Sequence, residues 1–165
     1  MKIGMVSDSL GHMSRDQMLD AAKSLGIQGV ELNACNWTSA PHMNLRKLLA
    51  SGIERKTLET ALSDCNFELI AFNANGNQLH PTDGKRQSDA LYDTIRLAGE
   101  FGVGTVVLMS GLPEGTKGDV MPNWVISSWP PETQTMLKYQ WEERLLPYWR
   151  KLADHAKSHG VRLAV

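Results

Sequence analysis

The side chains able to do chemistry in this 165-residue chain sit in a few short segments. His80 closes the run Asn75-Gly-Asn-Gln-Leu-His-Pro81. An imidazole there can donate to a hydroxyl, serve as an accessory metal ligand, or satisfy the backbone beside Pro81. Asn73, Asn75 and Asn77 crowd the same stretch. Each carboxamide carries a donor and an acceptor, as a polyhydroxylated ligand requires; asparagine and glycine also suit a tight turn. Trp37 and Trp129 can stack on a ring, wall a pocket, or pack their own loops. Asn33 and Ser110 stand where short apolar runs end. His80, Asn75, Asn33, Trp37, Ser110 and Trp129 are the candidate binding set. Glu31 lies inside Gly29-Val-Glu-Leu-Asn33. A carboxylate in a buried strand needs a partner, so it reads as a hydrogen-bond hub behind the site rather than a catalytic base.

Other polar residues carry less. Asp8 and His12 flank the turn after the first apolar run and can border a ligand or simply shape the turn. His155 and His159 have a metal-binding i, i+4 spacing. The glutamate of a zinc-protease helix is missing, since Ala156 follows His155, and a solvated last helical turn accounts for the pair. Cys35 and Cys65 lack metal-ligand spacing and read as reduced thiols of a cytoplasmic protein. The methionines are scattered and read as packing. A net charge of −1 offers no broad basic field for nucleic acid. The opening Met1-Lys-Ile-Gly-Met is too short a lead-in for a signal core or a membrane span.

These residues must be positioned by elements that alternate along the chain. Strand-like runs are Ile3–Ser7, Gly29–Asn33, Phe67–Phe72, Thr105–Met109 and Val161–Val165. Between them lie helical patterns. Ser14 and Gln17 make a capping box ahead of an apolar stripe of Met18, Leu19, Ala22 and Leu25, and Gly26 stops that helix. A second helix spans Ile53–Cys65, with Leu58, Ala61 and Leu62 on one face. A third spans Gln87–Phe101, with Leu91, Ile95, Leu97, Ala98 and Phe101 inward. The fourth runs from about Pro131 to His159, with a kink or restart at Pro147.

Strand-helix alternation at this spacing predicts parallel strands in one domain, residues 1–165. Mixed apolar runs in strands two to four predict cover on both faces. The turns from helix to strand are short. The loops from strand to helix are long and polar: Asp8–Met13, Ala34–Gly52, Asn73–Arg86 and Ser110–Pro130. Long loops gathered on one rim usually serve function, and in parallel α/β folds that rim is the C-terminal end of the strands. Neither GxGxxG nor GxxxxGK[ST] occurs, which disfavours a doubly wound nucleotide fold. A (β/α)8 TIM barrel is favoured, truncated to four βα units plus a fifth strand, since a whole barrel needs about 250 residues.

Several segments resemble the xylose isomerase-like family of sugar isomerases and epimerases. They are Met1-Lys-Ile-Gly-Met, Leu25-Gly-Ile-Gln-Gly-Val-Glu-Leu32, Ala71-Phe-Asn-Ala-Asn-Gly-Asn-Gln-Leu-His-Pro81 and His155-Ala-Lys-Ser-His-Gly-Val-Arg-Leu-Ala-Val165. The resemblance implies a sugar or polyol substrate, possible homo-oligomerisation, and a divalent metal (Mn, Mg, Co or Zn). Its Glu, Asp, His and Glu ligands belong at the ends of strands five to eight, after residue 165, so none is carried over and this portion alone is expected to be inactive. A dehydratase on a keto-sugar or inosose is an alternative outcome of the same resemblance. A non-catalytic half-barrel is another, if the chain is complete at 165. An endonuclease IV-like enzyme would need histidines where strands three and four end in Asn73 and Met109-Ser110.

Overall fold

Five short strands pair in chain order, and every pairing is parallel. They are β1 (Gly4–Val6), β2 (Gly29–Asn33), β3 (Glu68–Asn73), β4 (Thr105–Val107) and β5 (Arg162–Ala164). Strictly sequential order is that of a singly wound barrel sheet; a doubly wound sheet reverses its order at a switch point. The computed structural model describes residues 2–165, as five strands with helices α1 (Arg15–Ser24), α2 (Leu45–Ala50), α3 (Gly52–Asp64), α4 (Gly84–Phe101), α5 (Glu132–Tyr139) and α6 (Leu146–Ser158).

The helices bury one face of the sheet. Val30 and Leu32 of β2, Phe72 of β3 and Val106 of β4 are fully buried against Met18 of α1, Leu58 of α3, Leu91, Ile95 and Leu97 of α4 and Leu152 of α6. Phe72 meets Phe101 edge to face, ring centres 5.6 Å apart, an arrangement that suits the ring quadrupoles. The opposite face is uneven. Gly4 and Gly29 lack side chains there, and Ile70 lies across both: an added Cβ would come within 2.7 and 2.8 Å of its methyl carbons. Ile70 is also the extra residue where the register slips, since Val30 pairs Leu69 while Glu31 pairs Ala71. Cover on both faces holds along β2 but not along β3, where Ile70 stays 41% exposed.

The predicted elements appear with local differences. Ser14 and Gln17 form the capping box reciprocally. Leu25 does not join the α1 stripe; it is 69% exposed, because it lies past the last helical turn as the chain swings through Gly26 at φ 73°. The Ala34–Gly52 loop contains α2, started by the Asn44 side chain accepting from the Lys47 amide and held by buried Leu45 and Leu48. α4 begins at Gly84, inside the segment expected as loop. The long fourth helix is interrupted by a π turn at Gln140–Leu145, and Pro147, which has no N–H to donate, falls in the first turn of α6 directly after it. His155 and His159 are not a solvated end. His155 packs on Tyr92 at 4.6 Å with Nε2 3.3 Å from the Tyr92 carbonyl, and the two imidazoles lie 4.4 Å apart.

Candidate functional site

The C-terminal ends of β1 to β4 are tied together by asparagine and glutamine side chains. At β1 and β2, the Ser7 hydroxyl donates to Asn33 Oδ1 (3.2 Å) and accepts from the Asn33 amide (3.1 Å), both residues being buried. Asn33 Oδ1 also accepts from the Asp8 amide at 3.3 Å. Asp8 in turn receives the Thr38 hydroxyl at 2.7 Å, whereas His12 is on the surface. One step along the sheet, Asn73 Nδ2 donates to Glu31 Oε1 at 2.6 Å, and Asn73 Oδ1 accepts from the Asn75 amide at 2.9 Å. The strand carboxylate thus has its partner.

The loop from β3 to α4 is fixed by its own amides. Asn77 Oδ1 accepts from the amides of Leu79 (3.2 Å) and Leu112 (2.8 Å), and its Nδ2 donates to the Leu112 carbonyl at 2.9 Å. Gln78 Nε2 reaches the Met109 carbonyl at 2.6 Å. Gln87, buried in the first turn of α4, accepts from the Asn77 amide at 2.6 Å and donates to Asp83 at 2.9 Å. Asp83 is gripped by both arms of the Arg86 fork (2.8 and 2.6 Å), and this charged hydrogen bonding holds its carboxyl below the ordinary value. Asn36, at φ 70°, donates to the carbonyls of Ala74 and Gln87. The Oδ1 atoms of Asn36 and Asn75 are buried acceptors with no protein partner.

The loop from β4 to α5 is pinned by the π turn. Gln140 is the first buried residue after α5, and its Nε2 donates to the carbonyls of Asn123 (2.7 Å), Glu114 (3.2 Å) and, more weakly, Pro113 (3.4 Å). The buried Glu114 accepts the Tyr139 hydroxyl at 2.6 Å and faces the Arg144 guanidinium at 3.1 Å. Burial and that carboxylate push Tyr139 up to about 12. Trp149 donates its indole N–H to the Ser110 carbonyl at 3.0 Å.

The loops that follow β2, β3 and β4 line an open cavity of about 490 Å³ whose walls include Trp37, Gly76, His80, Ser110, Gly111 and Trp124. None of its lining residues carries a formal charge apart from what His80 can acquire. The structure therefore brings Trp37, His80 and Ser110 together. It places Asn33 in the β1–β2 tie and keeps Asn75, whose amide donates to Asn73 Oδ1, and Trp129, elsewhere on the β4–α5 loop, out of the lining. Trp124 rather than Trp129 lines the cavity, at its open edge, since it is 77% exposed; the sequence supplies two tryptophans in that loop, and Gln140 fixes the backbone beside Trp124 by donating to the Asn123 carbonyl. Gln87 reads in sequence as an ordinary first-turn helix residue, with nothing to mark its side chain as a hub.

A sequence profile of xylose isomerase-like TIM barrels matches residues 19–165. The chain belongs to the xylose isomerase-like TIM barrel family. It is 44% identical over 164 residues to the uncharacterized protein YfiH of Bacillus subtilis strain 168, covering 98% of this chain and 52% of that protein. It thus spans about half the length of the curated relative it matches. Among solved structures of this fold, it resembles the probable 3-DHS dehydratase AsbF from Bacillus anthracis (TM-score 0.59, 15% identity, 99% of this chain and 51% of that one). It also resembles D-psicose 3-epimerase in the presence of D-fructose (0.56, 11%, 99% and 51%) and the IOLI protein with a bound zinc atom (0.56, 15%, 99% and 50%). One solved structure of the same fold thus holds a metal. Among the described residues of this chain, no three His, Cys, Asp or Glu side chains stand together as a metal site would require. The residues present do not fit a metal centre, and no chemical step is assigned to one. Nor is any helix long and apolar enough to cross a membrane.

Proposed function

We propose that this chain supplies the substrate-embracing rim of a sugar or sugar phosphate isomerase/epimerase, acting by proton transfer next to a carbonyl. The observation that carries the reading is the convergence of Trp37, His80 and Ser110 from three successive strand-to-helix loops on one aromatic-walled cavity at the C-terminal end of a singly wound sheet. That is where barrel enzymes of this architecture build their sites. Indole faces suit the C–H face of a sugar ring, and hydroxyl and imidazole groups suit its oxygens. Membership of the xylose isomerase-like family supports a sugar-modifying enzyme in the coarse sense. The divalent metal (Mn, Mg, Co or Zn), cytoplasmic location and homo-oligomeric assembly belong to the same proposal for a protein of the relatives' length.

The test is deuterium wash-in. Candidate ketoses are incubated in heavy water with the protein in its full native length, with and without added divalent metal. Metal-dependent label at the carbon beside the carbonyl, without loss of water from the sugar, is the expected result. Label accompanied by dehydration would redirect the reading to a lyase. Absence of label with every ketose would overturn it.

A further inference from the structure

The His80 ring is held by its near nitrogen. Nδ1 lies 3.3 Å from the backbone amides of both Thr82 and Asp83, and 3.2 Å from the Thr82 hydroxyl. A backbone N–H can only donate, so Nδ1 must present a lone pair to both. These amides lead into α4, where first-turn N–H groups lack helical partners. The imidazole thus does what an Asn or Asp side chain does in a capping turn. The His80 carbonyl adds a second tie by accepting from the Gly84 amide at 2.8 Å. A neutral imidazole with Nδ1 occupied as acceptor carries its hydrogen on Nε2.

We propose that His80 is a fixed-tautomer donor: its Nε2–H points an already oriented hydrogen into the Trp37–Trp124 cavity and takes a hydroxyl or carbonyl oxygen of a neutral polyhydroxylated ligand. This rests on reading the cavity as a sugar site and deepens it. The group thereby binds and orients the ligand and takes no proton from it. With one nitrogen engaged by the backbone and the other bearing a proton, it offers no lone pair to a metal or to a substrate proton. The cavity favours a neutral ligand because its lining holds no fixed charge, and the cations at the start of α4 lie outside that lining, paired on the surface. Arg86 is forked onto Asp83, and Lys85 is paired with Asp89 at 2.6 Å. A phosphate dianion beside His80 would meet no fixed counter-charge among the lining residues, and the two indoles, which are largely exposed, supply none.

The two nitrogens can be separated by substitution. Asn places its Oδ1 where Nδ1 was and has nothing at the Nε2 position; Gln places its amide nitrogen near Nε2 and leaves the turn uncapped. Nitrogen-15 spectra of the His80 ring give the tautomer directly. Titration with D-fructose, and separately with D-fructose 6-phosphate, is followed at His80 and at the Trp37 and Trp124 indoles. The expected results are an unprotonated Nδ1 and a protonated Nε2, with D-fructose shifting all three side chains and its phosphate binding about tenfold more weakly or less. His80→Asn should keep the parent's thermal midpoint and lose about fivefold to tenfold in D-fructose affinity, the worth of one neutral hydrogen bond. His80→Gln should keep most of the affinity and melt earlier. A proton on Nδ1, undiminished binding by His80→Asn, equal or tighter binding of the phosphate, or no shift with either sugar would each overturn the proposal. Because none of these readouts needs turnover, binding as described without wash-in would refute the isomerase reading alone.

Discussion

Replacing Gln140 by alanine should open the loop that carries Trp124 while leaving the rest of the rim closed. The Gln140 amide donates to three carbonyls, but they do not lose equally. The Pro113 carbonyl keeps the Asn123 amide at 2.9 Å. The Glu114 and Asn123 carbonyls lose their side-chain donor. Two orphaned acceptors at about 1 kcal/mol each give about 2 kcal/mol, or about thirtyfold in the local opening equilibrium. Amide hydrogen exchange reads this residue by residue. The Asn123 amide should exchange about thirtyfold faster than in the parent. The Leu112 amide is the internal control, because it is held by Asn77 Oδ1 at 2.8 Å and not by Gln140. Unchanged exchange at Asn123 would refute the clasp. Equal acceleration at Leu112 would show that the loops open as one body, and the separate roles assigned to Asn77 and Gln140 would fall.

Three further outcomes follow from the same contacts. Gly76→Ala would drive a Cβ to 2.5 Å from Gln87 Oε1 and 2.7 Å from the Asn36 Cβ, so it should destabilise by about 1–3 kcal/mol in denaturant titration and loosen the Gln87–Asn77 tie; a neutral effect would mean the loop can shift freely. Phe72→Ala should cost about 3–5 kcal/mol, since the ring is fully buried and paired with Phe101; a loss below about 1 kcal/mol would contradict the packing. The three tyrosines should resist alkaline titration, because burial raises Tyr92, Tyr139 and Tyr148, the last two to about 12. A raised folded value means the folded state keeps a proton the unfolded chain gives up. That stability is whole below pH 10 and is lost as pH climbs toward 12. Tyr139 and Tyr148 half ionised at pH 10 in the folded protein would contradict it.

Periodicity in the sequence determined the βα alternation, its parallel sense and the rim on which long loops gather, because burial on one face of a helix imposes spacing that survives in the chain itself. The capping box at Ser14 and Gln17, the restart near Pro147 and the need of Glu31 for a partner were readable for the same local reason. Helix α2 has its own local signal in Asn44 and the spacing of Leu45 and Leu48, but at six residues it is short enough to pass for part of the polar loop around it. What the tertiary structure alone decided were contacts between residues far apart in sequence: Asn73 as the partner of Glu31, Gln87 and Asn77 as one hub, and the π turn that aims Gln140 at the loop from β4. A carboxamide looks the same in sequence whether it meets solvent, a ligand or a distant carbonyl; only the folded distances tell these apart. That is why the sequence does not separate Trp124, which lines the cavity, from Trp129, which does not, nor show that the His80 Nδ1 is taken by the Thr82 and Asp83 amides.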